Sequence, residues 1–264
     1  MLGAQEPPQT RTTAALDRGH ARCGVLIPAR DEAANVLALV EKLSRVPCID
    51  WVLFVVDKST DGTERVLQDL AESLDWLHVY YRWDRTGLGT ALLDGMSHAL
   101  ENFEFQRLVQ MDADLSHDPG QIPALLARDS DLVIGSRYVR GGCVEDWPLA
   151  RRAISRGANR VARIGLGLPA QDVTSGFRVY SRDLASDIVA RANCGGYELQ
   201  VEGVDLAQSL GYSIAEVPIR FQERRRGKSK LNTGPEIYRL LRFVAKGSVA
   251  RVVRRGNPGP VIRV

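Results

Sequence analysis

Apolar runs and helical stripes alternate along most of this chain. Cys23 to Ile27 is a short apolar run ended by Pro28 and predicts a buried strand. Asp31 to Leu43 follows with Ala33, Val36, Leu37 and Val40 at helical spacing. Trp51 to Val56 predicts a second buried strand, and Asp61-Gly62-Thr63 opens a helix to about Leu74 with Val66, Leu67 and Leu70 on one face. Leu77 to Tyr81, Arg107 to Met111 and Leu132 to Gly135 predict further strands, separated by helical stretches at Gly87 to Leu100 and Ile122 to Leu126. Strands that are apolar throughout and alternate with helices predict an α/β fold with a mostly parallel central sheet covered on both faces.

After Tyr138 the pattern changes. Trp147 to Leu168 is basic and helix-prone, with Gly165 and Gly167 expected to break it. Phe177 to Tyr180 and Ile214 to Phe221 read as strands with a helix, Tyr197 to Leu210, between them. Without a Gly/Ser-type linker, these are expected to be later elements of one catalytic domain over residues 22–235. Residues 1–21 read as a loose leader, and 236–264 as a basic amphipathic helix and tail.

Composition adds little: of 264 residues, 44% are hydrophobic and 25% charged, as in ordinary globular domains. A net charge of +3 is too small to imply nucleic-acid binding. The four cysteines form no CxxC pair and no zinc spacing, which predicts free thiols in a reducing compartment. No apolar run approaches the ~18 residues of a membrane span.

Polar residues gather where a parallel sheet binds ligands, beyond the carboxyl ends of its strands. Arg30 to Glu32 follow the first strand, Asp57 to Asp61 the second, Asp112 to His117 the fourth, and Ser136-Arg137 the fifth. Asp112-Ala113-Asp114 places two carboxylates where both reach one Mg²⁺ or Mn²⁺ bridging a diphosphate; the alternative is an acid pair capping the helix that Asp118-Pro119 begins. Ser116 and His117 add ligand options. Asp57 is placed to accept from a base or ribose. Gly87-Leu88-Gly89 opens a helix after Arg85, a workable anion site. The stretch Arg220 to Arg226 carries four arginines: either a solvated basic face or a clamp for phosphates, whose oxygens match arginine forks.

In this order the motifs resemble family 2 inverting glycosyltransferases of the GT-A (Rossmann-like) fold, within them the polyprenol-phosphate mannose synthases of bacterial, actinobacterial style. The likeness covers about residues 23–250. It is carried by Pro28-Ala29-Arg30-Asp31-Glu32, Ser59 to Thr63, Gly87-Leu88-Gly89, Asp112 to His117 and Gly135-Ser136-Arg137-Tyr138. Further on it is carried by Asp172 to Arg178, Tyr197 to Glu202 and Gly227-Lys228-Ser229-Lys230-Leu231, with Trp147-Pro148-Leu149 and Ser155-Arg156-Gly157 marking the bacterial style.

The resemblance implies transfer of mannose from GDP-mannose to polyprenyl phosphate with inversion, giving a β-mannosyl phosphate; a UDP-sugar donor or a soluble acceptor is the alternative. Pro28, Arg30 and Glu32 would line the nucleotide pocket with Asp57 near the base and Ala113 against the donor. Asp112, Asp114 and Ser116 would hold Mg²⁺ or Mn²⁺ on the diphosphate, and Arg137 would contact phosphate. Arg224 and Lys230 would neutralise diphosphate and acceptor phosphate. Asp172 and Ser136 would meet sugar or acceptor. Two departures bear on the donor: Val56-Asp57-Lys58 lacks one of two adjacent acids usual after the second strand, and Asp31 stands where asparagine is common.

The implied setting is the cytoplasmic face of a membrane, bound peripherally, with a membrane partner protein compatible. The stripe Ile237, Leu240, Leu241, Val244, Ala245, Val249 and Val252, with arginines around it and Gly247-Ser248 interrupting it, is expected either to lie in the lipid interface or to pack on the domain.

Overall fold

The computed structural model describes residues 21–84, 87–223 and 233–256. Its centre is a seven-stranded sheet in the order β3-β2-β1-β4-β7-β5-β8. The strands are β1 (Cys23–Ala29), β2 (Trp51–Asp57), β3 (Leu77–Arg82), β4 (Arg107–Gln110), β5 (Leu132–Ser136), β7 (Arg178–Ser181) and β8 (Ile214–Pro218). A second sheet pairs β6 (Cys143–Val144) with β9 (Arg220–Phe221). All pairings in the large sheet are parallel except those of β7, which runs antiparallel to both β4 and β5.

The helices are α1 (Ala33–Ser44), α2 (Thr63–Ser73), α3 (Leu88–Asn102), α4 (Ile122–Leu126), α5 (Leu149–Leu166), α6 (Arg182–Arg191), α7 (Leu199–Ser209) and α8 (Thr233–Gly256). Because each strand residue points to the face opposite its neighbour, β1 and β2 feed two cores. Val25, Ile27, Phe54 and Val56 pack with Val36, Leu39 and Val40 of α1 and Leu67 of α2. Leu26, Leu53 and Val55 pack with Leu92 and Met96 of α3, Leu184 of α6 and Val201 of α7. Each such fully buried side chain contributes about 1.5–3 kcal/mol of transfer free energy before chain entropy is subtracted.

Differences from the sequence expectation are concentrated after Tyr138. The short strand β6, the helix α6 and the antiparallel direction of β7 were not foreseen. The expected strand from Ile214 to Phe221 divides into β8 and β9, which belong to different sheets. Gly165 and Gly247 do not break their helices. They lie where α5 and α8 cross: a Cβ on Gly165 would stand 2.5 Å from Val244, and one on Gly247 2.5 Å from Leu166. Ser248 Oγ donates to the Gly165 carbonyl at 2.7 Å, and Leu240 and Val244 are buried against this crossing. Gly167, in the left-handed region at φ 57°, ends α5.

Candidate active site

A cleft of about 310 Å³ opens over the carboxyl ends of β1, β2, β4 and β5. Pro28, Arg30, Glu32, Asp57, Asp112, Ala113, Asp114, Ser116 and Arg137 all line it. Asp172 and Ser136, both fully buried, do not, so neither presents its side chain to a ligand there. Arg224 and Lys230 lie outside the described residues, as does Arg85.

The β1 and β2 end of the cleft is built from two interlocked turns. Asp31 sits in the left-handed region at φ 48°, a conformation Asp tolerates better than most residues. Its carboxylate accepts from Thr60 N at 2.7 Å, and Asp31 N donates to Ser59 Oγ at 3.0 Å. Asp61 accepts from Ala33 N and Thr63 N, each at 3.0 Å. The Asp31 departure therefore joins the β1–α1 turn to the β2–α2 turn.

Asp57 is already engaged. Arg82 Nη1 donates to it at 2.9 Å, and so does Gly87 N on the other oxygen, also at 2.9 Å. Gly87 adopts φ 127°, where side chains rarely go, and this brings its N–H to Asp57 at the start of α3. Arg82 is itself buried and meets Asp94 at 2.9 Å and Thr90 Oγ1 at 2.7 Å. Burial raises the Asp57 pKa above the usual carboxylate value, against the pull of the Gly87 amide and Arg82. Arg82 escaped sequence reading, although its position at a strand's carboxyl end is the signal that marked Asp57.

The acid pair follows β4. Asp112 is partly exposed and Asp114 buried. Leu115, at φ 64°, turns the chain so that Ser116 N donates to Asp114 Oδ1 at 3.0 Å. Ser116 Oγ is buried and has no hydrogen-bond partner among the described residues, an unmet need in a cleft wall. His117 Nδ1 accepts from Asp112 N at 3.2 Å, its ring stacked on Phe177 at 5.0 Å. Burial lowers its pKa to about 4, so it is neutral near pH 7 and its proton resides on Nε2. Gly176 closes over the pair: a Cβ there would stand 3.3 Å from Asp112 Oδ1.

Among the described residues no three acidic, His or Cys side chains converge into a closed metal site. Two carboxylates and an unsatisfied hydroxyl do fit a hard divalent ion that takes its remaining oxygens from a diphosphate and water.

Opposite the acids stands Arg137. Its Nε donates to Asp172 Oδ2 at 2.7 Å, and its Nη2 donates to Asp172 Oδ1 at 2.7 Å and Thr174 Oγ1 at 2.9 Å. Burial works against both charges. The pairing outweighs it, holding Asp172 below the usual carboxylate range and Arg137 above the ordinary arginine value. Tyr138, Trp147 and Phe221 surround the guanidinium at 5.3–5.8 Å from ring centre to Cζ. Arg151 lies 4.1 Å over the Trp147 ring and donates to both oxygens of Glu223 at 2.7 Å. Trp147, Arg151, Thr174, Tyr197, Gln200 and Glu223 line the cleft without having been singled out as binding residues, because they converge from separate elements.

The family model described as "Glycosyl transferase family 2" matches residues 24–189. The chain is 38% identical over 235 residues to a polyprenol monophosphomannose synthase of Mycolicibacterium smegmatis, covering 87% of this chain and 86% of the relative. It is 41% identical over 213 residues to an undecaprenyl-phosphate mannosyltransferase of Micrococcus luteus, covering 79% and 87%. Among solved structures, glucosyl-3-phosphoglycerate synthase from Mycobacterium tuberculosis, in complex with Mn²⁺, UDP-glucose and phosphoglyceric acid, superposes with TM-score 0.65. The two are 20% identical, with 87% of this chain and 80% of that one covered, a likeness of GT-A fold. With the cleft, its acid pair and the matched sequence in agreement, the chain belongs to glycosyl transferase family 2 and is a glycosyltransferase.

Proposed function

We propose that the protein transfers mannose from GDP-mannose to a polyprenyl phosphate, with inversion at the anomeric carbon. The observation that carries this reading is the identity of 38–41% to two mannosyl-lipid enzymes across most of both chains. The cleft is compatible in chemistry. An acceptor phosphate is already anionic and attacks without a strong general base, so the site must position two anions and stabilise the departing diphosphate. A divalent ion on Asp112, Asp114 and Ser116 would supply positive charge to that leaving group. Arg137, pre-set by Asp172 and Thr174, offers guanidinium charge from the facing wall at no cost of reorganisation. Asp57, held by Arg82 and Gly87, forms the polar end for the nucleoside.

A lipid acceptor brings its phosphate to headgroup level, and no described helix is long and apolar enough to cross a membrane. The surface suited to the interface is the outward face of α5. Leu149, Ile154, Val161 and Ile164 are exposed there, with Arg156, Arg160 and Arg163 beside them, and Tyr238 and Leu241 of α8 are exposed as well. Leu240 and Val244 of the expected α8 stripe are spent on α5 instead.

The purified chain, given Mn²⁺ or Mg²⁺, polyprenyl phosphate and labelled GDP-mannose or UDP-glucose, should render mannose lipid-extractable and glucose not. Glucose entering the lipid phase in preference would replace the donor assignment.

A further inference from the structure

The antiparallel strand β7 places its first residue, Arg178, opposite Gln110 of β4 and Ile134 of β5. Those are the ends from which Asp112 and Arg137 emerge. The turn leading into β7, residues 172–177, therefore folds across the active end of the sheet. Arg178 is the largest fully buried side chain and is 0% exposed, and it does not line the cleft.

Each of its three nitrogens donates to a main-chain carbonyl: Nε to Ser175 at 2.7 Å, Nη2 to Val173 at 2.7 Å and Nη1 to Gln200 at 2.6 Å. A buried cation is costly unless it is hydrogen-bonded, and these bonds satisfy one nitrogen each. Two of the carbonyls belong to the turn and the third to the first turn of α7. The turn delivers Asp172, which clamps Arg137, and places Thr174 and Gly176 in the cleft wall. The α7 segment delivers Tyr197 and Gln200, and Tyr197 Oη donates to the Thr174 carbonyl at 2.7 Å. One guanidinium thus spans both pieces of backbone that form the wall facing the acid pair.

We propose that Arg178, without touching substrate, is a positioning residue for transfer. It fixes the 172–177 turn to α7 and so holds the Arg137–Asp172 pair in place toward the diphosphate and phosphate of the two substrates. The identity of those substrates rests on the function proposed above. The nucleotide end, built on β1, β2, β3 and α3, receives none of these three bonds, so loss of Arg178 should separate binding from turnover.

The test compares Arg178→Lys, which keeps charge but cannot reach three carbonyls, with Arg178→Met, which loses both. In folded Arg178→Lys, calorimetric GDP affinity should stay within about twofold, while kcat falls roughly ten- to a hundredfold, the scale of a small misplacement of reacting groups. Arg178→Met should fall further. Amide exchange should quicken in 173–176 and 200–202 and stay unchanged in 24–57. Full kcat in folded Arg178→Lys overturns the proposal. So does a parallel fall of GDP affinity and kcat with the folded fraction, or failure of Arg178→Lys to fold, because each makes the residue a determinant of the fold alone. A wild-type chain that makes no mannolipid sinks the substrate reading instead, and the Arg178 proposal then stands or falls on the exchange rates and on the rate of donor hydrolysis.

Discussion

The two halves of the sheet meet at β4 and solve different problems. On one side β3, β2, β1 and β4 are all parallel, and the strand ends hand Asp57, Arg30 and Asp112 directly to the cleft, with Arg82 buried behind Asp57. On the other side an antiparallel strand is inserted between β4 and β5, and the functional groups are held through intermediaries. Arg137 reaches the cleft only as the partner of Asp172, and Asp172 rides on a turn pinned by Arg178. A parallel strand end suffices to present a carboxylate for a nucleotide or an ion. A buried guanidinium needs a counter-charge and a satisfied network around it. On the proposed function, donor recognition would fall to the first half and much of the stabilisation of transfer to the second, with the acid pair at the seam.

The largest effect should come from the seam between the halves. Asp112→Asn removes half of the acid pair from a partly exposed position, so the fold should survive while kcat drops by about three orders of magnitude, ~4 kcal/mol of transition-state stabilisation. Steady-state transfer and a urea melt check both parts. Near-normal turnover would return the pair to helix capping.

Next is the clamp. Asp172→Asn strands a buried Arg137 and should cost about 3–5 kcal/mol of unfolding free energy in urea, part of it recovered in the double variant with Arg137→Met. The pH dependence has a definite sign. Asp172 titrates below its unfolded value in the folded chain, so its contribution is complete above the ordinary carboxylate range, ~pH 4, and is lost as pH falls through the depressed folded pKa. The gap between wild type and Asp172→Asn should be flat at neutral pH and close only in acid. A gap that closes at neutral pH contradicts the clamp.

The smallest effect belongs to the donor half. Arg82→Gln frees Asp57 and loosens the Gly87 turn, and should weaken GDP binding about tenfold, ~1.4 kcal/mol, with kcat at saturating donor unchanged. A fall in kcat without a change in affinity would erase the division between the halves.

The same division explains what was legible in the sequence. The first half follows from local signals, since apolar runs such as Val52 to Val56 alternate with helical stripes and polar residues stand at the strand ends. The acids at 112 and 114, and the placement of Glu32 and Asp57 in the cleft, came from those signals and the family likeness. The second half depends on pairings distant in sequence. Nothing near Arg178 announces that its strand runs backwards between β4 and β5. Asp172 is given to sugar or acceptor by the resemblance, and its pairing emerges only when Arg137, 35 positions away, is brought against it. Gly165 and Gly247 read as helix breakers because propensity is local, whereas the crossing of α5 and α8 that uses their missing side chains is tertiary.

The central claim is that this cleft delivers its sugar to a lipid phosphate. The direct test offers labelled GDP-mannose, with Mn²⁺ or Mg²⁺, to the purified chain in the presence of equal concentrations of detergent-dispersed polyprenyl phosphate and soluble 3-phosphoglycerate. The label should pass into the organic phase as an acid-labile mannosyl phosphate, with the water-soluble phosphosugar at background. Label accumulating on the soluble phosphate, with the lipid unglycosylated, would contradict the account.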